Sequence, residues 1–198
     1  MFTAIKQQIG ITLIEFLVTI SIAAILMTIA IPNFKDFLKR NRIDSVTSDL
    51  VTALNYARSE SIRRGVNVSI CKSSDGISCG GNEINWEQGW IVFVNLDNDS
   101  PAFVDANEEI VWVRQQLAQN ITLRASNNYE NFLTYKPTGR VNKTGSFVIC
   151  YNNELIGAKH INIIGTGRVQ ISKDANNDGI PEKDSNGVYV NITSCNEP

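Results

Sequence analysis

The chain reads as an α+β protein, with one long N-terminal α-helix, its first half transmembrane, packed on an antiparallel β-rich globular head. Three observations predict this. Residues 11–31 form an apolar run of 21 residues in which Glu15 is the only charge. Apolar positions then recur every three or four residues, with no glycine before Gly65. Beyond Gly65 the period shortens to two, in short segments divided by Asn, Asp, Gly and Pro clusters. A spacing of three and four marks one face of a helix, and strict alternation marks a half-buried strand.

The apolar run has the roughly 20 residues that an α-helix needs to span a bilayer core. A carboxylate near the centre of such a span costs roughly 2.5–3.5 kcal/mol, which makes Glu15 a functional residue rather than part of a plain anchor. A secretory signal peptide would have a shorter apolar stretch and a small-residue cleavage site at its far end. This run ends instead at Ile31-Pro32-Asn33, and ahead of it stands a short polar leader closed by Gly10.

Past Pro32 the helical stripe comprises Phe34, Phe37, Leu38, Ile43, Val46, Leu50, Leu54, Ala57 and Ile62, all expected to be buried. Asp44, Asp49, Arg58, Glu60 and Arg63 fall on the other faces. A helix over residues 11–64, stopped by Gly65, would run roughly 80 Å at 1.5 Å per residue. The stripe lasts only about three heptads, too short for an extended coiled coil.

Strands are expected over residues 66–71, 89–94, 109–113, 121–124, 131–135, 146–151, 159–164, 168–172 and 188–193. Turn signals lie between them at Asn98-Asp99-Ser100-Pro101, Pro137-Thr138-Gly139 and Asp178-Gly179-Ile180-Pro181. Short strands at this spacing indicate antiparallel sheets. Two turns resemble one another: Thr138-Gly139-Arg140-Val141 and Thr166-Gly167-Arg168-Val169.

The chain is 43% hydrophobic and 19% charged, with a formal charge of −2. That balance excludes a global attraction to nucleic acid or anionic lipid. Without leader and membrane span, roughly 165 residues remain, enough for one domain with a real core. All four cysteines (Cys71, Cys79, Cys150 and Cys195) lie outside the apolar run. An even count in an exported domain favours disulfides. Of the three pairings, Cys71–Cys79 and Cys150–Cys195 are favoured, the first closing a Ser/Gly-rich loop and the second tying the C-terminus to an inner strand. Zinc is disfavoured by a single histidine, His160, and by the lack of a C-x-x-C pair.

Gly10, the following apolar helix and the acid five residues after the glycine resemble the leader and first helix of type IV pilins and pseudopilins. The resemblance implies cleavage between Gly10 and Ile11 by a prepilin peptidase, N-methylation of Ile11, and assembly roles for Glu15 and Pro32. Ile11 replaces the usual Phe with another apolar residue. Lys35, Lys39, Arg40 and Arg42 after the span would favour a cytoplasmic head by the positive-inside rule, but the leader motif demands the opposite orientation and takes precedence.

Several strings, taken in order, narrow the branch. They are residues 54–65, residues 86–93, the turn at Pro137-Thr138-Gly139-Arg140, Phe147-Val148-Ile149-Cys150 and Gly167-Arg168-Val169. Together they resemble the GspH-like family, closest to its FimT and FimU minor pilins. The resemblance implies a leader over 1–10, a membrane or filament-core half of the helix over 11–32, an amphipathic half over 33–64 and a β-rich head over 65–198. It implies a low-abundance subunit that primes pilus assembly near the tip, in company with other minor and major pilins or pseudopilins and an inner-membrane assembly platform. The head would lie in the periplasm and, after assembly, outside the cell. Alternatives are a DNA-binding minor pilin for natural transformation and a minor pseudopilin of type II secretion.

Some FimT members bind DNA through a Gly-Arg-x-Arg motif, but here Gly167-Arg168-Val169-Gln170 lacks the second arginine. Arg140, Lys143, Lys159, Arg168 and Lys173 are the cations that would have to gather for phosphate contacts, diluted by the acids of 174–184. Asp174, Asn176 and Asp178 followed by Gly179, with Glu182 beyond, match the start of a calcium loop. The bidentate Glu of an EF-hand is replaced by Ser185, so a polar hairpin turn is the preferred reading over calcium. Asp97, Asp99, Asp105 and Glu108 make a weaker version. With one histidine, no Gly-x-Ser-x-Gly and no phosphate loop, neither an enzyme, a cofactor nor a small-molecule substrate is expected.

Overall fold

The computed structural model describes residues 12–185 and 188–196. Gly10 and Ile11 lie outside them. Helix α1 spans Leu13–Arg64. Thr12 caps it, its hydroxyl accepting the backbone N–H of Glu15 at 3.3 Å, which satisfies one of the orphan donors of the first turn. At the other end Gly65 takes φ +70°, a left-handed conformation that ends helices at least cost to glycine. The chain divides into two compact units, residues 1–39 and 40–198.

Among the described residues ten strands follow: β1 (Asn67–Lys72), β2 (Trp90–Asn95), β3 (Ile110–Arg114), β4 (Ile121–Ala125), β5 (Phe132–Tyr135), β6 (Gly145–Tyr151), β7 (Glu154–Ile163), β8 (Val169–Ile171), β9 (Glu182–Ser185) and β10 (Val188–Asn191). They form a sheet of order β3-β2-β1-β5, a second of order β4-β6-β7-β8, and a β9–β10 hairpin. Neighbouring strands pair antiparallel throughout.

The period-two pattern decides which faces meet. Ile43, Leu50, Ala53, Leu54 and Ala57 of α1 share one core with Val68, Ile70, Val92 and Leu133 of the first sheet and Leu123, Phe147, Ile149 and Ile161 of the second. The alternate residues of β6, Val148 and Cys150, face the other way and pack with Ala158, Ile192 and Cys195. On the outer face of the first sheet Cys71, Ile91, Phe93 and Ala102 form a third cluster. Strands buried on both faces explain why 89–94 and 146–151 read as nearly continuous apolar runs.

The structure alters several expectations. The buried stripe begins at Ile43; Phe34 and Phe37 are exposed, as is Ile62 at the other end. Glu60 is buried instead of facing solvent, because Arg63 and Arg64 both reach its carboxylate, at 2.5 and 2.6 Å, and hold its pKa below the usual range. Strand β7 starts at Glu154, ahead of the expected 159, because Asn152 and Asn153 both adopt positive φ and make a two-residue hairpin with β6. Strand β9 lies outside the expected strands, since Glu-Lys-Asp-Ser lacks apolar alternation. Trp86 and Trp90 are core residues, whereas Trp112 is half-buried against Tyr56, with ring centroids 5.5 Å apart.

Candidate functional site

The N-terminal unit presents its apolar side chains outward: Leu13, Phe16, Leu17, Ile25 and Leu26 are all exposed. By length and composition α1 can cross a membrane. Glu15 sits three residues after the Thr12 cap, in the first turn, where the helix dipole favours negative charge. The helix continues through position 32.

In the head, disulfides join Cys71 to Cys79 and Cys150 to Cys195, with Cα atoms 5.6 and 6.0 Å apart. Each fastens a covering segment to the outer face of one sheet. The first closes the loop after β1, whose backbone is organised by Asp75: it accepts the N–H groups of Ile77 and Ser78 at 2.8 Å and the hydroxyls of Ser73 and Ser78. Those bonds, led by the Ser78 hydroxyl, hold the Asp75 carboxyl far below the usual carboxylate range. The second disulfide holds the C-terminal segment over β6 and β7, with Ile192 packed beside it.

The two similar Gly-Arg turns lie against one another. Arg58 of α1 donates from Nε to the Gly139 carbonyl at 3.0 Å and from Nη2 to the Thr166 carbonyl at 3.3 Å. A Cβ on Gly167 would fall 2.0 Å from the Gly139 oxygen, so the close approach requires glycine there. Arg140 and Arg168 are therefore exposed on adjoining turns. The bridging role of Arg58 was hidden in the sequence, where it counted as a solvent-facing helix residue; only the repeat of Thr-Gly-Arg-Val hinted at a related pair.

The remaining cations do not join them in one cluster. Lys159 pairs with Asp44 of α1 at 3.2 Å. Lys173 lines a groove with Glu182 and Asp184. Lys143 is exposed in the β5–β6 connection, where its carbonyl accepts the Tyr129 hydroxyl.

The loop over residues 174–182 is internally bonded. Asp174 accepts the N–H groups of Asp178 and Gly179 at 3.1 and 2.7 Å, and Asp178 accepts that of Ile180 at 2.8 Å. Asn176 accepts the Asp178 N–H at 2.9 Å. Glu182 is buried and accepts from Ala175 and Asn176. These are the bonds of an Asx-rich turn. Asp97, Asp105 and Glu108 bring one ligand atom each within 4.8 Å of one another, and Glu108 also accepts the Leu96 and Asp105 N–H groups.

His160, the one histidine, is buried with Nδ1 2.7 Å from the Ser172 hydroxyl. Burial, aided by the positive charge of Lys183, lowers its pKa from 6.5 to about 4.

Against known families, the model of the type II transport protein GspH matches residues 46–174, which is 129 of the 198 residues. The chain belongs to the GspH family. The prokaryotic N-terminal methylation motif matches residues 5–31, ahead of the GspH segment. No curated protein matches the chain. Among solved structures, this GspH-family chain is similar to the type IV minor pilin FimU of Pseudomonas aeruginosa in two crystal forms. In space group P21 the TM-score is 0.55 at 21% identity, covering 80% of this chain and 98% of that one. In P65 the score is 0.50, also at 21% identity, covering 77% and 98%. The minor pseudopilin EpsH of the Vibrio cholerae type 2 secretion system gives 0.44 at 8% identity, covering 66% and 95%. The FimU likeness is one of fold: a long helix followed by antiparallel sheets.

Proposed function

We propose that this chain is a minor type IV pilin: a structural, non-catalytic subunit that primes pilus assembly and is incorporated near the tip. The observation that carries this reading is the order of two segments in one chain, a methylation motif over residues 5–31 and a GspH segment over 46–174. In this reading a prepilin peptidase removes residues 1–10 as the leader and Ile11 becomes the methylated N-terminus. Residues 11–32 anchor the subunit in the inner membrane and later in the filament core, 33–64 form the amphipathic half of the helix, and 65–198 form the head. The head lies in the periplasm before assembly and outside the cell afterwards. Partners are other minor and major pilins and the inner-membrane assembly platform.

Glu15 supplies the mechanism. Its carboxylate carries an insertion cost in lipid that is offset only when a partner charge reaches it. An ammonium at the new N-terminus, its own or a neighbour's, has that charge. Apolar packing between helices gives little discrimination of register in lipid, whereas one ion pair does.

Intact-mass analysis of the protein from cells with an active prepilin peptidase should find a chain beginning at Ile11 and carrying one methyl group; recovery of only the uncut chain would sink the proposal. Glu15→Ala should still insert but should no longer co-purify with partner pilins. Co-purification at the wild-type level would remove Glu15 from the mechanism.

A second reading, DNA capture, is favoured by the adjoining Gly-Arg turns. Duplex binding requires several clustered cations and weakens steeply with salt. With Lys159 engaged by Asp44 and Lys173 among acids, the pair Arg140 and Arg168 stands nearly alone. Submicromolar gel-shift binding by the full chain at physiological salt, lost in Arg168→Ala, would put this reading first. The family's description as a type II transport protein favours a third, the secretion pseudopilus, which co-purification with secretion pseudopilins would establish.

A further inference from the structure

Between the β7–β8 edge of the second sheet and the β9–β10 hairpin lies a groove of about 570 Å³. Each wall carries a cross-strand pair. Asn162 on β7 stands opposite Gln170 on β8, and Asp184 on β9 stands opposite Tyr189 on β10. All four side chains line the groove, together with Lys173. The pleat explains the placement: Ile161 and Ile163 point into the core, so Asn162 between them points out.

Neither Asn162 nor Gln170 uses its side-chain amide in a hydrogen bond among the described residues. Each amide therefore offers an acceptor oxygen and two N–H donors to an occupant. Tyr189 is 72% exposed, leaving a ring face and a hydroxyl open on the opposite wall. Lys173, Glu182 and Asp184 put one cation and two acids in the lining, with Glu182 already accepting the Ala175 and Asn176 N–H groups, so the groove does not select a polyanion.

Paired donors and acceptors suit hydroxyl groups, which act as both. An exposed phenol ring suits a flat C–H surface. A pyranose has both features on one rigid frame, with little ordering entropy to lose on binding. A peptide backbone would use the amides but would leave the ring face without a matched surface. We infer that this groove binds a neutral saccharide, with Asn162 and Gln170 hydrogen-bonding its hydroxyls and Tyr189 stacking on its C–H face. The sugar is a ligand held by the head, not a substrate turned over. The inference is independent of whether the subunit primes a pilus.

The test uses the full chain in a zwitterionic, sugar-free detergent, probed with a panel of neutral and sialylated oligosaccharides and with unrelated peptides. A neutral oligosaccharide should bind, and saturation-transfer NMR should show contact through its ring C–H protons. Tyr189→Ala should weaken that binding by at least about tenfold and Tyr189→Phe by no more than about threefold, the ring being the main contact. Gln170→Ala, at an exposed edge position, should also weaken it by about tenfold and keeps the test decisive if Tyr189→Ala does not fold. No neutral oligosaccharide bound, a preference for the sialylated probes or the peptides, or binding that survives both alanine variants would overturn the assignment.

Discussion

Acidification should destabilise the head through one residue. His160 is 3% exposed, and among the described residues its Nε2 has no hydrogen-bond partner while Nδ1 faces Ser172. Burial, with Lys183 contributing, puts the folded-state pKa at about 4 against 6.5 for a free imidazole. The native state thus favours the neutral ring, whereas the unfolded chain takes up the proton already near pH 6.5. Above that pH the stability is fully present. Between pH 6.5 and about 4 the unfolded state carries more protons, so stability falls with pH. The gap corresponds to about 3 kcal/mol, a large share of the 5–15 kcal/mol typical of a domain. Because the chain has one histidine, a single imidazole resonance can be followed by NMR without assignment ambiguity. Its midpoint should lie near 4. Urea unfolding of the full chain in detergent from pH 7 to 4 should show the wild type losing about 3 kcal/mol more than His160→Gln, since carboxylates common to both cancel. A midpoint near 6.5, or parallel stability curves, would refute the argument.

Gly167→Ala should cost several kcal/mol in urea unfolding, because it combines a φ of +78° with a Cβ 2.0 Å from the Gly139 oxygen; Gly157→Ala, at φ +80° with open space, should cost only about 1–2 kcal/mol. Replacing Cys150 and Cys195 together by serine should cost about 4 kcal/mol, and replacing Cys71 and Cys79 about 2.5 kcal/mol, following the lengths of the loops they close. Non-reducing peptide mapping should recover those two links and no others. Chelation of calcium should leave the melting temperature unchanged, because backbone N–H groups already satisfy the 174–182 carboxylates; a rise of several degrees on adding millimolar calcium would reveal a bound ion.

The class of fold was legible because its signals are local. Helical spacing from Phe34 onward, the absence of glycine before Gly65 and the alternation of 66–71 each need only a few neighbouring residues to read. The same holds for the apolar run and for Glu15 within it, since the length of a membrane span and the cost of a buried charge depend on composition alone. Where local signals failed, a tertiary contact was responsible. Nothing near Glu60 in sequence requires its burial, yet Arg63 and Arg64 pair with its carboxylate in place. Strand β9 carries no apolar pattern, and among the described residues its ladder is with β10.

Sites were legible in part. The four cysteines announced two staples, but which surfaces they fasten depends on the two sheets having outer faces that need cover. Arg140 and Arg168 could be counted in the sequence but not placed, and the same was true of Lys159. Residues 58, 139 and 167 meet only when α1, the β5–β6 turn and the β7–β8 turn close on one core, and no periodicity encodes contacts over more than 80 residues. The sequence by itself determined a membrane-capable helix with one acid and a β-rich head. Tertiary structure alone decided that two Gly-Arg turns adjoin, that the C-terminal hairpin leaves a groove beside β8, and that the single histidine is buried against Ser172. The physical reason is common to all three: hydrophobic pattern sets which face of an element is buried, but long-range packing sets what that face meets.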